Sequence, residues 1–161
     1  MIITLELFIL FALFFFICYM NTGNDEKNLK SFSAYPDKIQ EVIKTRPEFK
    51  DKIKTSNPFV SIISNIILFG IILFIFGIFI REKSFLNNFI KLSILGQGVN
   101  LFDFLVIDSL WWRNSKRIIF SGTENMKSDY RSLKNHFISF LKAIIVFLAV
   151  AVTDGFLLTL F

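Results

Sequence analysis

The chain has 161 residues, is 53% hydrophobic with 22 Phe, and carries a net charge of +5. Ordinary soluble domains are roughly 45–50% apolar; the excess here is gathered into long runs, which excludes an ordinary soluble domain and predicts a membrane protein. The positive charge lies between those runs with no basic–aromatic interleaving, so it marks topology and anionic headgroups and argues against a nucleic-acid partner.

The first run, Ile2–Met20, has no basic leader, carries Glu6 and shows no small-x-small pattern before Asn21. It therefore reads as a retained span, not a cleaved signal. Cys18 is the only cysteine, so no intrachain disulfide can form. Ile17 before it is not the small residue a lipoprotein site needs.

The first connection, 21–58, contains two Pro-led units. Pro36-Asp37 precedes Ile39, Val42 and Ile43; Pro47-Glu48 precedes Phe49 and Ile53. Proline followed by an acid suits a helix start, where a missing N–H and the positive dipole end both fit. The units resemble a degenerate repeat, ending Ile43-Lys44-Thr45 and Ile53-Lys54-Thr55. They predict two short amphipathic helices on the inner leaflet or on the helix bundle.

A second, strongly apolar span covers 59–80. The third, 89–112, is the weakest by hydropathy and holds Gln97, Asn100, Asp103 and Asp108. A charge at the centre of a span costs about 2.5–3.5 kcal/mol on insertion scales, so such residues mark function by default. In the third connection, 113–136, Gly122 predicts a turn, Thr123 a cap and Glu124 a first helical turn. Met126, Tyr130, Leu133 and Phe137 follow helical spacing, which predicts a surface helix turning into the membrane near His136. The fourth span is 137–161. Each span is near or above the ~20 residues that cross ~30 Å of hydrocarbon.

The first and third connections hold eight and six Lys and Arg residues, against two in the second. The positive-inside bias then places both of them in the cytoplasm and both termini outside a bacterial plasma membrane. Tyr19, Trp111 and Trp112 fall at the cytoplasmic boundary, as aromatic belts do.

At common depth, Asp108 falls level with Lys142, and Asp154 within reach of Lys91, with Glu6 and Gln97 in the same outer half. Asp108–Lys142 and Lys91–Asp154 are the expected structural ion pairs. Asp103 with Asn100 lies nearer the midplane with no cation level with it. Five residues separate Asp103 from Asp108, about 140° apart on an α-helix, so they cannot chelate one ion side by side unless the helix breaks. One His and one Cys far apart in depth give no zinc site, and no phosphate-cradling Gly loop is present. No metal and no cofactor is expected. Ser139, Ala143, Ala151 and Gly155 repeat at four-residue spacing, a face that could seat span three or a second protomer.

Asn100-x-x-Asp103, Asp108-x-Leu110-Trp111, Lys116-Arg117, Gly122-Thr123-Glu124-Asn125-Met126, Tyr130 and His136 resemble an uncharacterised family of small integral membrane proteins in Gram-positive bacteria, sometimes labelled permease-like. Asn125 departs from the Asp associated with that place. The resemblance implies four spans and no established activity.

The sequence therefore predicts an all-α, polytopic membrane protein: a single domain built as a four-transmembrane-helix bundle, with short amphipathic interfacial helices in its first cytoplasmic loop. Its expected site is a polar pocket at Asn100, Asp103 and Asp108, with Trp111, Trp112, Arg113, Lys116, Arg117 and His136 at a basic mouth. The expected ligand is small and anionic or lipid-linked. The rivals are a membrane-embedded enzyme acting on a lipid, and a non-catalytic subunit of a membrane complex. Expected partners are membrane lipids with anionic inner-leaflet headgroups, and a second copy or a membrane partner protein.

Overall fold

The computed structural model describes residues 2–53 and 57–160. Lys54 and Thr55, which close the second Pro-led unit, and Phe161, the last residue of the fourth predicted span, lie outside the described residues. The helices are α1 (Ile2–Met20), α2 (Asp25–Asn28), α3 (Asp37–Lys44), α4 (Pro47–Lys50), α5 (Pro58–Ile80), α6 (Phe85–Phe102) and α7 (Lys134–Leu157). No strand occurs among the described residues. Four helices are long and apolar enough to cross a membrane: α1, α5, α6 with its continuation to Trp112, and α7.

α5 and α6 start earlier than hydropathy predicts, because polar residues at their ends are locally satisfied. Asn57 accepts from the Phe59 N–H at 2.9 Å and Pro58 supplies a fixed φ, so α5 begins there. α6 begins at Phe85, not 89. The buried Asn88 accepts from the Glu82 N–H (2.7 Å) and donates to the Glu82 carbonyl (2.8 Å) and to the Gly155 carbonyl (3.4 Å). A buried amide with these partners costs little, whereas an unpaired one would cost roughly 1–3 kcal/mol.

Two compact units are present. The first comprises Met1–Ala12, Ser56–Phe102 and Phe140–Phe161. Within it, α6 is the hub, and glycines set its approach distances. A Cβ on Gly96 would stand 2.8 Å from Phe147 Cδ1, and one on Gly98 2.7 Å from Leu7 Cδ2. Gly155 of α7 faces the Phe89 backbone: its Cβ would meet N at 3.2 Å and Cα at 3.3 Å. The small-residue face on α7 thus seats α6 at Gly155. Backbone cannot yield as a side chain can, so Gly155→Ala is expected to cost about 1–3 kcal/mol, read as a lowered Tm in detergent. A Tm equal to wild type would refute this close approach. Parallel rings of Phe11 and Phe102, 4.3 Å apart, and a Phe69–Phe147 contact of 4.7 Å complete the packing.

The second unit comprises Leu13–Thr55 and Asp103–Ser139. Here the first and third connections share a hydrophobic core: Leu29, Phe32, Tyr35, Ile39, Ile43, Phe49, Trp112, Ile118, Phe120 and Tyr130. The apolar face of α3 is spent on this core: Ile39 and Ile43 are fully buried. Tyr35 donates its hydroxyl to the Ile118 carbonyl at 3.0 Å, and burial holds its phenol neutral by pushing it above the usual range.

The predicted helix from Glu124 into the membrane does not form. Two 3-10 turns, Glu124–Met126 and Asp129–Arg131, are followed by an extended Ser132, and α7 starts at Lys134. Thr123 does not cap either. It is buried, donates to the Phe120 carbonyl (2.7 Å) and shares a 2.6 Å hydrogen bond with the Tyr130 hydroxyl. Tyr130 is therefore pulled into the core where a continuous helix would have turned it elsewhere. Glu124 instead accepts from its own N–H and that of Gly122, which hold its carboxyl below the usual range.

Candidate functional site

At Asp103 the third span changes winding: Asp103–Trp112 is π-helical. Hydrogen bonds there run from i to i+5, and such segments are frequent at functional positions. Ser109 Oγ follows the same register, donating to the Phe104 carbonyl at 2.7 Å. In this winding residues five apart stack one above the other, as residues four apart do in an α-helix. The α-helical argument that separated Asp103 from Asp108 therefore does not hold. The helix alters its pitch where the two acids lie, and they share a face.

Asp108 is buried, and its Oδ1 lies 2.9 Å from His136 Nδ1 on the first turn of α7. This replaces the expected Asp108–Lys142 pair. Lys142 is exposed and makes no ion pair among the described residues. The late start of α7 explains the change, because it brings His136 itself to the level of Asp108. A carboxylate at Nδ1 favours the proton on that nitrogen and leaves Nε2 as the free one. His136 Nε2 is buried without a hydrogen-bond partner, and so is Trp112 Nε1. The two rings meet edge to face, 5.4 Å apart. Asp103 is half-buried, within electrostatic range of Asp108 and His136, and its carboxylate has no hydrogen-bond partner among the described residues.

The remaining predicted site residues separate. Trp111 contacts Phe15 (5.5 Å) and Tyr19 (6.4 Å), an aromatic seam along α1. Arg113 and Lys116 are exposed, with no ion pair among the described residues. Arg117 is not free at a mouth. It donates to the Tyr19 (3.2 Å) and Thr22 (2.9 Å) carbonyls and lies 3.9 Å over the Tyr19 ring. A guanidinium on these carbonyls satisfies the open end of α1. Gly23 leaves room for it: φ is +114° there, and a Cβ would stand 2.7 Å from the guanidinium. Asn100 belongs to the first unit and gives its amide to the Phe140 carbonyl at 3.2 Å.

The Lys91–Asp154 pair is also corrected. Lys91 donates to the Ile80 carbonyl (2.9 Å) and pairs with Glu82. The helix end at Ile80 offers an open carbonyl and the connection a carboxylate, both nearer than α7. Among the described residues no group of three or more His, Cys, Asp and Glu side chains is placed to hold a metal ion.

Around the site, three exposed ion pairs close the second unit: Lys38–Asp129, Lys52–Glu26 and Lys134–Asp37. Each is worth little alone. Asp37 does more, since it anchors the first turn of α7 two residues before His136. Hydrogen bonds from Lys134 (2.7 Å) and Asn135 (3.2 Å) hold its carboxyl below the ordinary range. A depressed folded value contributes stability above the unfolded Asp value of about 3.9, lost as pH falls through the folded one. Asp37→Asn is thus expected to lower the Tm at neutral pH, with the difference from wild type closing in acid. A difference that is constant with pH would refute it.

Comparison of the chain with known protein families, characterised proteins and solved structures gives no match. The functional reading rests on geometry.

Proposed function

We propose that this is a multi-pass plasma-membrane protein, a four-span bundle with both termini outside. Its cytoplasmic pocket at Asp103, Asp108 and His136 binds or moves a lipid-linked ligand. The observation that carries the reading is the buried Asp108–His136 pair with two polar ring nitrogens, His136 Nε2 and Trp112 Nε1, left without partners. Buried polar groups are ordinarily hydrogen-bonded, and exceptions call for a ligand, a water or a catalytic role.

The chemistry of the ligand follows from the donor set. With Arg117 committed to α1, the centre is acidic and the exposed Arg113 and Lys116 are the free cations of the third connection nearest Trp112 in sequence. A headgroup with hydroxyls for Asp103 and His136, and a phosphate for Arg113 and Lys116, meets both. Short-chain phosphatidylglycerol is the probe. Saturable quenching of tryptophan fluorescence is expected, weakened tenfold or more by Asp103→Asn at unchanged Tm and by His136→Gln. Equal titrations of wild type and both variants would overturn the pocket.

A second reading is favoured by the 2.9 Å pairing itself. A carboxylate that orients an imidazole with a free Nε2 is the arrangement of a general base. The protein would then be a lipid-modifying enzyme, with His136 taking a proton from the ligand hydroxyl. Lipid mass spectrometry of a deletion strain separates the two. An altered lipid species restored by wild type but not by His136→Gln selects the enzyme; an unchanged lipidome retires it.

A further inference from the structure

The first unit holds a second set of unpartnered polar groups, remote in sequence from the pocket. Asp154 on α7 is 5% exposed, and its Oδ2 is buried with no hydrogen-bond partner. It faces one of the two places where α5 offers no side chain: a Cβ on Gly70 would lie 3.9 Å from Asp154 Oδ1. α5 contributes no titratable residue at all. α6 contributes Lys91, whose ammonium is spent on the Ile80 carbonyl and Glu82. α1 contributes Glu6, both of whose carboxylate oxygens are buried and unpartnered, with Lys91 in electrostatic range. Lys142, the nearest Lys of α7, lies twelve residues away, more than three turns along the helix.

A carboxylate in a span with neither cation nor donor is the arrangement the membrane penalises most. Such acids mark proton relays and ion pathways. A single proton removes the charge and needs no cavity. A metal ion would need several oxygen ligands, and no group of three or more His, Cys, Asp and Glu side chains gathers among the described residues.

We propose that Asp154 is an intramembrane proton-binding site, facing the gap that Gly70 leaves in α5. The site is independent of the pocket at His136, so failure of either leaves the other standing. Glu6 is the second unpartnered carboxyl of this unit, with Lys91 in electrostatic range but bonded to Ile80 and Glu82.

The test is infrared spectroscopy of the full-length protein in liposomes in mildly acidic buffer. The expected result is a carboxylic-acid C=O band that shifts in deuterated buffer and is lost in Asp154→Asn. Asp154→Glu should keep a band at a displaced frequency, which separates loss of the proton from loss of the fold. Dicyclohexylcarbodiimide, which attacks protonated carboxyls, should add to the peptide containing Asp154 and not to that containing Asp37. Identical carboxylic-acid spectra for wild type and Asp154→Asn would overturn the proposal, as would a band that appears only when sodium is removed, since the carboxylate would then hold a cation.

Discussion

Replacing His136 with alanine is expected to destabilise the protein by about 3–5 kcal/mol, the cost of breaking a buried ion pair by removing one partner. The pair is between His136 Nδ1 and Asp108 Oδ1 at 2.9 Å, and both residues are buried. The loss comes mainly from Asp108, whose buried carboxyl is left without its partner and has no second cation to turn to; Lys142 is exposed. The double variant Asp108→Asn/His136→Ala should therefore recover part of the loss, because the uncompensated charge is gone. A double-mutant cycle read by thermal unfolding in detergent measures this coupling. Additive single losses would mean that the 2.9 Å contact carries no pairing energy.

The second large effect is expected at Phe120. Its ring is fully buried, 4.9 Å from Tyr35 and 6.0 Å from Phe49, so it joins the third connection to the first. Phe120→Ala should cost about 3–5 kcal/mol by transfer and cavity terms together. The loss should be local. The N–H of Phe120 donates to the Tyr130 hydroxyl (3.0 Å), and that hydrogen bond depends on the Phe120 ring staying in place. Tyr35 also packs on Trp112 at 5.3 Å, and Trp112 on His136, so the pocket should loosen with the core. The check is limited proteolysis: rapid cleavage within 113–133, with helical content in the long spans retained. Wild-type protease resistance would show that the two connections do not share one core.

The parts of the molecule legible in sequence are those set by solvent. Long apolar runs can only be helices if they are to lie in hydrocarbon, so four helices long and apolar enough to cross a membrane follow from composition and length. Pro-led starts at Asp37 and Pro47 were legible for the same local reason, since proline and a first-turn acid act through backbone within one turn. The polar character of the third span was equally plain. Its winding was not: nothing in the spacing of Asp103 and Asp108 distinguishes an α register, which separates them, from a π register, which stacks them.

Pairing was decided by tertiary structure. Depth matching puts Lys142 opposite Asp108 because it sets the cytoplasmic edges of the two spans at Trp112 and Phe137. In the structure α7 starts at Lys134, and His136 on its first turn lies against Asp108 instead. Arg117 looked like an open cation because helix ends carry no sequence mark of who will satisfy them; its carbonyl partners lie almost a hundred positions away. The sequence by itself determined the solvent of each segment, because hydrophobicity is a property of single residues summed along a run. Only the tertiary structure decided which polar group meets which, because a hydrogen bond depends on ångström distances between segments remote in the chain, and these follow from where each helix begins and how it is wound.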